Sequence, residues 1–241
     1  MSTQPSLGII GFGQMGQLLA DVLSAAFDIA VYDIQAIKDA DFPVCGLPEL
    51  AQRDYLMLAV PVQAIADTCT LLAPHLAAST LVFDIASVKE QPAQVMRAHL
   101  PAGQPVLPLH PLFGPQSYAR DGLAGAPLVW CDETPLTPQT QYLWRVFENE
   151  LQLRLHVMSP TAHDQHMAYV MGLTHLIGFA LNRMALPTLP LETASYTHLR
   201  ELRDLLSQDT LELFEAIQTL NPYAPEVTQQ FREHVDQLLK S

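Results

Sequence analysis

The chain has 241 residues, 49% of them apolar, enough for one large domain or two smaller ones with a sizeable core. Its 25 acidic and 12 basic residues leave a net charge of −13, which argues against nucleic acid or an anionic membrane as a partner, since both are bound through a positive face. Cys45, Cys69 and Cys131 follow no paired spacing, no apolar run approaches a membrane span, and residues 1–6 lack a basic region ahead of an apolar stretch; the expectation is a cytoplasmic protein without disulfides or a leader.

Leu7-Gly8-Ile9-Ile10 reads as a strand and meets Gly11-Phe12-Gly13-Gln14-Met15-Gly16, which opens a helix over residues 17–23. A second strand, Ile29-Ala30-Val31-Tyr32, ends on Asp33. A lone GxGxxG carries little information. Placed between strand and helix, with an acid about 20 residues on, it reads as a dinucleotide site. Gly11 allows the tight turn, Gly13 lets backbone approach a pyrophosphate, and Gly16 lets helix and strand pack closely. The helix start offers free N–H groups and partial positive charge to the phosphates. Asp33 suits the adenosine ribose hydroxyls and would repel the extra phosphate of NADP, so NAD is expected in preference to NADP.

Residues 55–62 read as a buried strand ending at a proline, and Val60 and Pro61 at its end join Gly11, Phe12, Gly13, Gln14, Met15, Gly16 and Asp33 as the candidate cofactor set. Helices are expected over 63–76, 89–98 and 137–150, and strands over 81–85, 105–109, 126–131 and 153–157. Near-continuous apolar strands alternating with helices predict a parallel sheet covered on both faces. After Pro160 the period turns helical: residues 161–186 are apolar almost all round, 187–190 break the run, and helices follow over 196–220 and 224–239. The fold class is therefore α/β then all-α, with a Rossmann-type dinucleotide-binding domain over residues 1–158 and a helical substrate and dimerisation domain over 159–241. So few helices with so apolar a first member cover themselves poorly, which predicts a homodimer through this half.

Ligands of open α/β sheets bind beyond the carboxyl ends of the strands. Ser87, in Asp84-Ile85-Ala86-Ser87-Val88-Lys89, and His110, in His110-Pro111-Leu112-Phe113-Gly114-Pro115, follow two such strands. Histidine is the usual general base near neutral pH, and Ser87 could orient its ring or bond a substrate hydroxyl. The same serine has Glu90 three residues on, the spacing of a helix-capping box, so a purely structural role is equally open. His163, His166 and His175 lie three and nine residues apart with no acid to complete a set, so they read as helix packing, or for His163 a helix-start cap, and no metal site is expected.

Together, the glycine turn, Asp84-Ile85-Ala86-Ser87-Val88-Lys89 and His110-Pro111-Leu112-Phe113-Gly114-Pro115 resemble the prephenate/arogenate (cyclohexadienyl) dehydrogenase family. Ala162-His163-Asp164-Gln165-His166-Met167-Ala168-Tyr169 and Gly172-Leu173-Thr174-His175 resemble its helical-domain entry, so the likeness runs from about residue 7 to 220. The HPxFGP segment is its most specific part; the glycine turn alone also fits pyrroline-carboxylate reductases and hydroxyacid dehydrogenases. The resemblance implies an NAD-dependent oxidative decarboxylation of prephenate or arogenate, in tyrosine biosynthesis. It makes His110 the base toward the ring hydroxyl, has Ser87 assist there, has Lys89 support the site electrostatically and has His175 line the substrate pocket. In one respect the chain departs from the pattern. Many bacterial members carry a carboxylate-binding arginine five residues before an aspartate. Counting back from Asp209, that position is Asp204; Arg203 is one residue off, about 100° of helix rotation. Arg203 in a shifted register, Arg120 after the HPxFGP loop, or a substrate carrying an ammonium group are the three ways to meet this. A hydroxyacid dehydrogenase would want a lysine in the helical half, yet none stands between residues 90 and 239, and an NAD-binding regulatory protein without turnover is the reading from another class.

Overall fold

The computed structural model describes residues 4–38, 40–184, 186–207 and 209–240; residues 1–3, on which the leaderless start partly rests, lie outside it. The chain divides into two compact units, Met1–His163 and Asp164–Ser241.

In the first unit the elements follow as β1 (Ser6–Ile10), α1 (Gln14–Leu23), β2 (Asp28–Tyr32), α2 (Leu47–Leu50), β3 (Tyr55–Leu58), α3 (Ile65–Leu72), β4 (Leu81–Asp84), α4 (Glu90–His99), β5 (Val106–Pro111), α5 (Pro115–Asp121), β6 (Pro127–Trp130), α6 (Pro138–Arg145) and β7 (Arg154–Val157), and α7 (Pro160–Met167) begins there. Among the described residues the strands form one seven-stranded sheet in the order β2-β1-β3-β4-β5-β6-β7. The chain leaves β1 for β2 on one side and returns to β3 on the other, so the strand order reverses at β1. A crevice at the carboxyl ends of β1 and β3 is the outcome, and such reversals are where ligands of this sheet class bind. Alternate residues of each strand feed two separate cores. Ile9, Met57, Phe83 and Leu107 pack with α1 and α6 side chains, while Ile10, Leu58 and Val82 pack with Ile65, Leu72 and Met96. Full burial of each such side chain contributes roughly 1.5–3 kcal/mol, and apolar pressure on both faces holds the strand ends in place.

Four features differ from the sequence reading. β5 and β6 pair antiparallel, with His110 opposite Val129, because the chain between them turns back along the same sheet edge instead of crossing a face; β6 and β7 are parallel again. β3 stops at Leu58, where Ala59 donates to the Ile10 carbonyl and the chain turns away. β5 runs through His110 to Pro111, so the histidine stands inside the strand's last turn of pleat, not after it. The short helices α2 and α5 were not expected.

In the second unit, a widened π turn over Ala168–Leu173 follows α7, and α8 (Thr174–Arg183), α9 (Ala194–Leu205), α10 (Leu211–Leu220) and α11 (Ala224–Lys240) complete the unit. The single helix expected over 196–220 is two helices, because the Thr210 hydroxyl caps the N–H of Leu213 and starts a new one. Gly172 lies 3.4 Å, at its ideal Cβ position, from the Ala224 methyl, and Phe179 stacks on Phe214 at 4.5 Å. The wide turn frees carbonyls from the helical ladder, and side chains take them up: Gln218 Nε2 donates to Gly172 O at 2.7 Å. Among the described residues, no helix is long and apolar enough to cross a membrane.

Candidate active site

The glycine turn sits at the carboxyl end of β1. Gly11 has φ +93°, a conformation that disfavours any side chain, and its N–H bonds the Tyr32 carbonyl at 2.8 Å. A Cβ at Gly11 would meet the Ala59 carbonyl oxygen at 2.4 Å, and one at Gly16 the Gly11 oxygen at 2.1 Å, so both positions are closed to larger residues. Gly13 is different: a Cβ there would find nothing within 4 Å. With no side chain capping the start of α1, this open face leaves the helix N–H groups accessible to an anion such as a pyrophosphate. Gln14 and Met15 form the first turn of α1; Val60 and Pro61 follow β3 on the neighbouring strand end. Asp33 is fixed on both oxygens, Oδ2 accepting from Phe12 N at 2.7 Å and Oδ1 from Gln35 N at 2.8 Å. It looks into a cavity of about 400 Å³ lined also by Phe12, Gly13, Gln17, Lys38 and Phe42. Each carboxylate oxygen retains acceptor capacity for a ribose hydroxyl.

Farther along the same edge, His110 is buried, and its Nδ1 lies 2.8 Å from Nε2 of His163, the two rings meeting edge to face at 5.0 Å. One ring must donate and the other accept. Burial is the largest influence on His110, and with the nearby His163 and Lys89 it pushes the imidazole pKa well below the ordinary 6.5. Lys89 is wholly buried; its ammonium pairs with Asp84, the last residue of β4, and donates to Leu109 O at 2.7 Å. Burial raises the Asp84 pKa against the opposing pull of Lys89. Burial, then the Asp84 charge, also holds the Cys69 thiol up at about 12. Ser87 Oγ is buried without a partner among the described residues. It does not cap a helix: Lys89 holds the N-cap position of α4, with no side-chain capping bond, so the capping-box spacing of Ser87 and Glu90 is not realised. His163 is no helix-start cap either, since Ser159 serves the start of α7 through the N–H of Ala162 and its carbonyl takes the N–H of His163.

Arg120, on α5, is exposed and paired with Asp121 at 2.7 Å. In the second unit His175 Nδ1 meets Met171 O at 2.8 Å while Nε2 faces Asp209 Oδ2 at 3.2 Å, so both ring nitrogens face acceptors. Arg203 is held by Asp204 and by the Leu186 carbonyl, and Arg200 by Glu192. Two partnerships escaped the sequence reading: His163 with His110, separated by 53 positions, and Asp209 with His175. The motif from Asp84 to Lys89 carried the only local signal, an acid and a base flanking Ser87.

A family model described as the prephenate dehydrogenase nucleotide-binding domain matches residues 25–151, more than half the chain. The chain belongs to the prephenate dehydrogenase family. The match takes in Asp33, Ser87, Lys89 and His110, and begins after the glycine turn. The chain is 34% identical over 181 residues to the T-protein of Enterobacter agglomerans, covering 73% of this chain and 44% of that one. It is 28% identical over 239 residues to the chloroplastic arogenate dehydrogenase 2 of Arabidopsis thaliana, covering 93% and 66%. It thus spans less than two thirds of the length of these curated relatives. The fold is that of the prephenate dehydrogenase of A. aeolicus, solved in complex with hydroxyphenyl propionate and NAD+. That comparison has a TM-score of 0.78 at 20% identity, over 100% of this chain and 91% of the other.

Proposed function

We propose that the chain is an NAD-dependent dehydrogenase that oxidatively decarboxylates prephenate to 4-hydroxyphenylpyruvate, L-arogenate to tyrosine, or both, in tyrosine biosynthesis. The observation that carries this is His110: a buried imidazole with depressed proton affinity, at a sheet edge in a chain of the prephenate dehydrogenase family. The names of the relatives point the same way.

In this reading His110 accepts the proton of the ring hydroxyl at Nε2, since Nδ1 is engaged by His163. NAD, when bound, takes the hydride from the carbon that bears that hydroxyl. The C–O single bond becomes a carbonyl, the bond to the ring carboxylate breaks, carbon dioxide leaves, and the electron pair enters the ring, which becomes a phenol. Ser87 Oγ, without a partner among the described residues, is available to the substrate hydroxyl. Gly11, Phe12, Gly13, Gln14, Met15, Gly16 and Asp33 hold the dinucleotide, with Val60 and Pro61 beside it; the Asp33 carboxylate disfavours NADP. His175 serves the substrate in the helical domain, and the carboxylate falls to Arg203 or Arg120. Residues 1–158 form the nucleotide-binding domain and 159–241 a helical domain through which two chains pair, in the cytoplasm.

Purified protein given NAD and either acid is expected to form NADH, and His110→Asn to lose roughly 10² to 10⁴ of the rate. Turnover of neither acid overturns the assignment. Running both acids with NAD and NADP side by side also names the preferred pair.

A further inference from the structure

The β4–β5 ladder ends at Asp84 opposite Pro108, and Pro108 has no N–H to continue it. Beyond that point the two strand ends are joined by a side chain. The ammonium of Lys89 pairs with the carboxylate that closes β4 and donates to the carbonyl of Leu109, the residue directly before His110 in β5. We propose that Lys89 and Asp84 are positioning residues for His110: the buried ammonium, anchored by Asp84, grips the backbone one residue before the base and fixes where its ring stands.

Stability alone does not account for such a pair. Two fully buried charges cost heavily in desolvation, and apolar residues of the same volume often serve a core as well or better. What an apolar pair cannot do is hold a strand-end carbonyl at a fixed point or place a positive charge beside an imidazole. That charge disfavours a protonated His110 and keeps the ring ready to accept, while His163 engages its other nitrogen. The groups that face one another here are His163, from α7, and Lys89 around His110; and Lys89, His163 and Cys69, from α3, around Asp84.

The inference rests on the dehydrogenase reading for its kinetic arm, and a second arm needs no turnover. The full-length chain is compared with Lys89→Met and Lys89→Met/Asp84→Asn for thermal melting, for His110 ring nitrogen shifts across pH by NMR, and for kcat, KM and their pH dependence. Lys89→Met strands a buried acid and melts early; the double variant removes that acid and recovers melting. Because a small misplacement of a reacting group costs up to about 10²-fold in rate, kcat is expected to fall between about ten- and a hundred-fold in both, with KM for NAD within about two-fold. In both variants the His110 titration moves upward, and its single ring tautomer gives way to a mixture. A double variant that melts like the wild type and regains its kcat, tautomer and pH profile would show the pair to be structural only, and overturns the proposal. Wild-type protein that turns over neither acid overturns the dehydrogenase reading instead, and the NMR comparison still decides the role of Lys89.

Discussion

In the proposed reaction His110 would draw a proton from a hydroxyl while standing nearly out of contact with water. Burial, the neighbouring His163 and the Lys89 ammonium all act in one direction, stabilising the neutral ring. A histidine whose pKa lies below 6.5 keeps its lone pair through mildly acidic solution, so activity is lost only as pH falls through the lowered value. The acid limb of kcat against pH is therefore expected below 6.5; a midpoint at or above 6.5 would mean that another group limits the rate. The glycine turn allows a sharper test, because two of its glycines serve different ends. Gly11→Ala sets a side chain at φ +93° and 2.4 Å from a backbone oxygen, so folding stability should fall by at least about 1–3 kcal/mol. Gly13→Ala meets nothing in the protein, and loss of a glycine N-cap costs at most about 1 kcal/mol. Its damage should appear in NAD affinity, measured by calorimetry, with melting little changed. Equal losses of melting in the two variants would remove the distinction.

At the scale of elements, the π turn of the helical unit shows how an irregular helix is stabilised. Its Gly172 carbonyl depends on Gln218 from α10, and Gln218 Oε1 in turn accepts from Thr228 of α11, so one amide ties three elements. Gln218→Leu leaves the carbonyl and the threonine without that amide and should cost about 1–3 kcal/mol in chemical denaturation; a change under about 0.5 kcal/mol would show the amide to be dispensable. A sequence cannot announce such a turn, since residues 168–173 keep helical character on both sides and only the ladder slips. Strand direction is similarly silent: Pro127-Leu128-Val129-Trp130 is equally apolar whichever way it runs, so the antiparallel β5–β6 pair was not foreseen. The first strand, glycine turn, helix and acid were legible because each carries a local mark: apolar alternation, a glycine demanded by φ, a carboxylate at a strand end. At the site, Ser87 and His110 could be named from their strand ends, whereas the His163 contact is made by folding across 53 positions and leaves no trace in the spacing. Leu47–Leu50 is too short to show a helical period, and α5 begins at a proline that also suits a turn.

For the whole molecule, surface and charge decide what it associates with. In the helical unit Met184, Leu191, Leu238 and Leu239 are between 67% and 89% exposed, a load of apolar surface that suits a second copy of the chain. If the chain is a homodimer, its melting temperature should rise with protein concentration, since association stabilises by mass action. Sedimentation as a monomer at micromolar concentration would defeat the dimer. Charge acts at longer range. With a net charge of −13, the protein would repel the proposed ligands, an anionic dinucleotide and an anionic ring acid, alike as they approach. Salt screens that repulsion, with a Debye length of about 10 Å at 0.1 M. The attractions inside the site, at the start of α1 and at Lys38 beside the Asp33 cavity, act over shorter distances and are offset locally by Asp33 itself. The net field should therefore dominate the encounter. The association rate of NAD, followed by stopped-flow fluorescence, is expected to rise as salt is added, the reverse of a protein that steers its ligand electrostatically. A rate that falls with salt would mean that the helix terminus and Lys38 overcome the field of the whole chain.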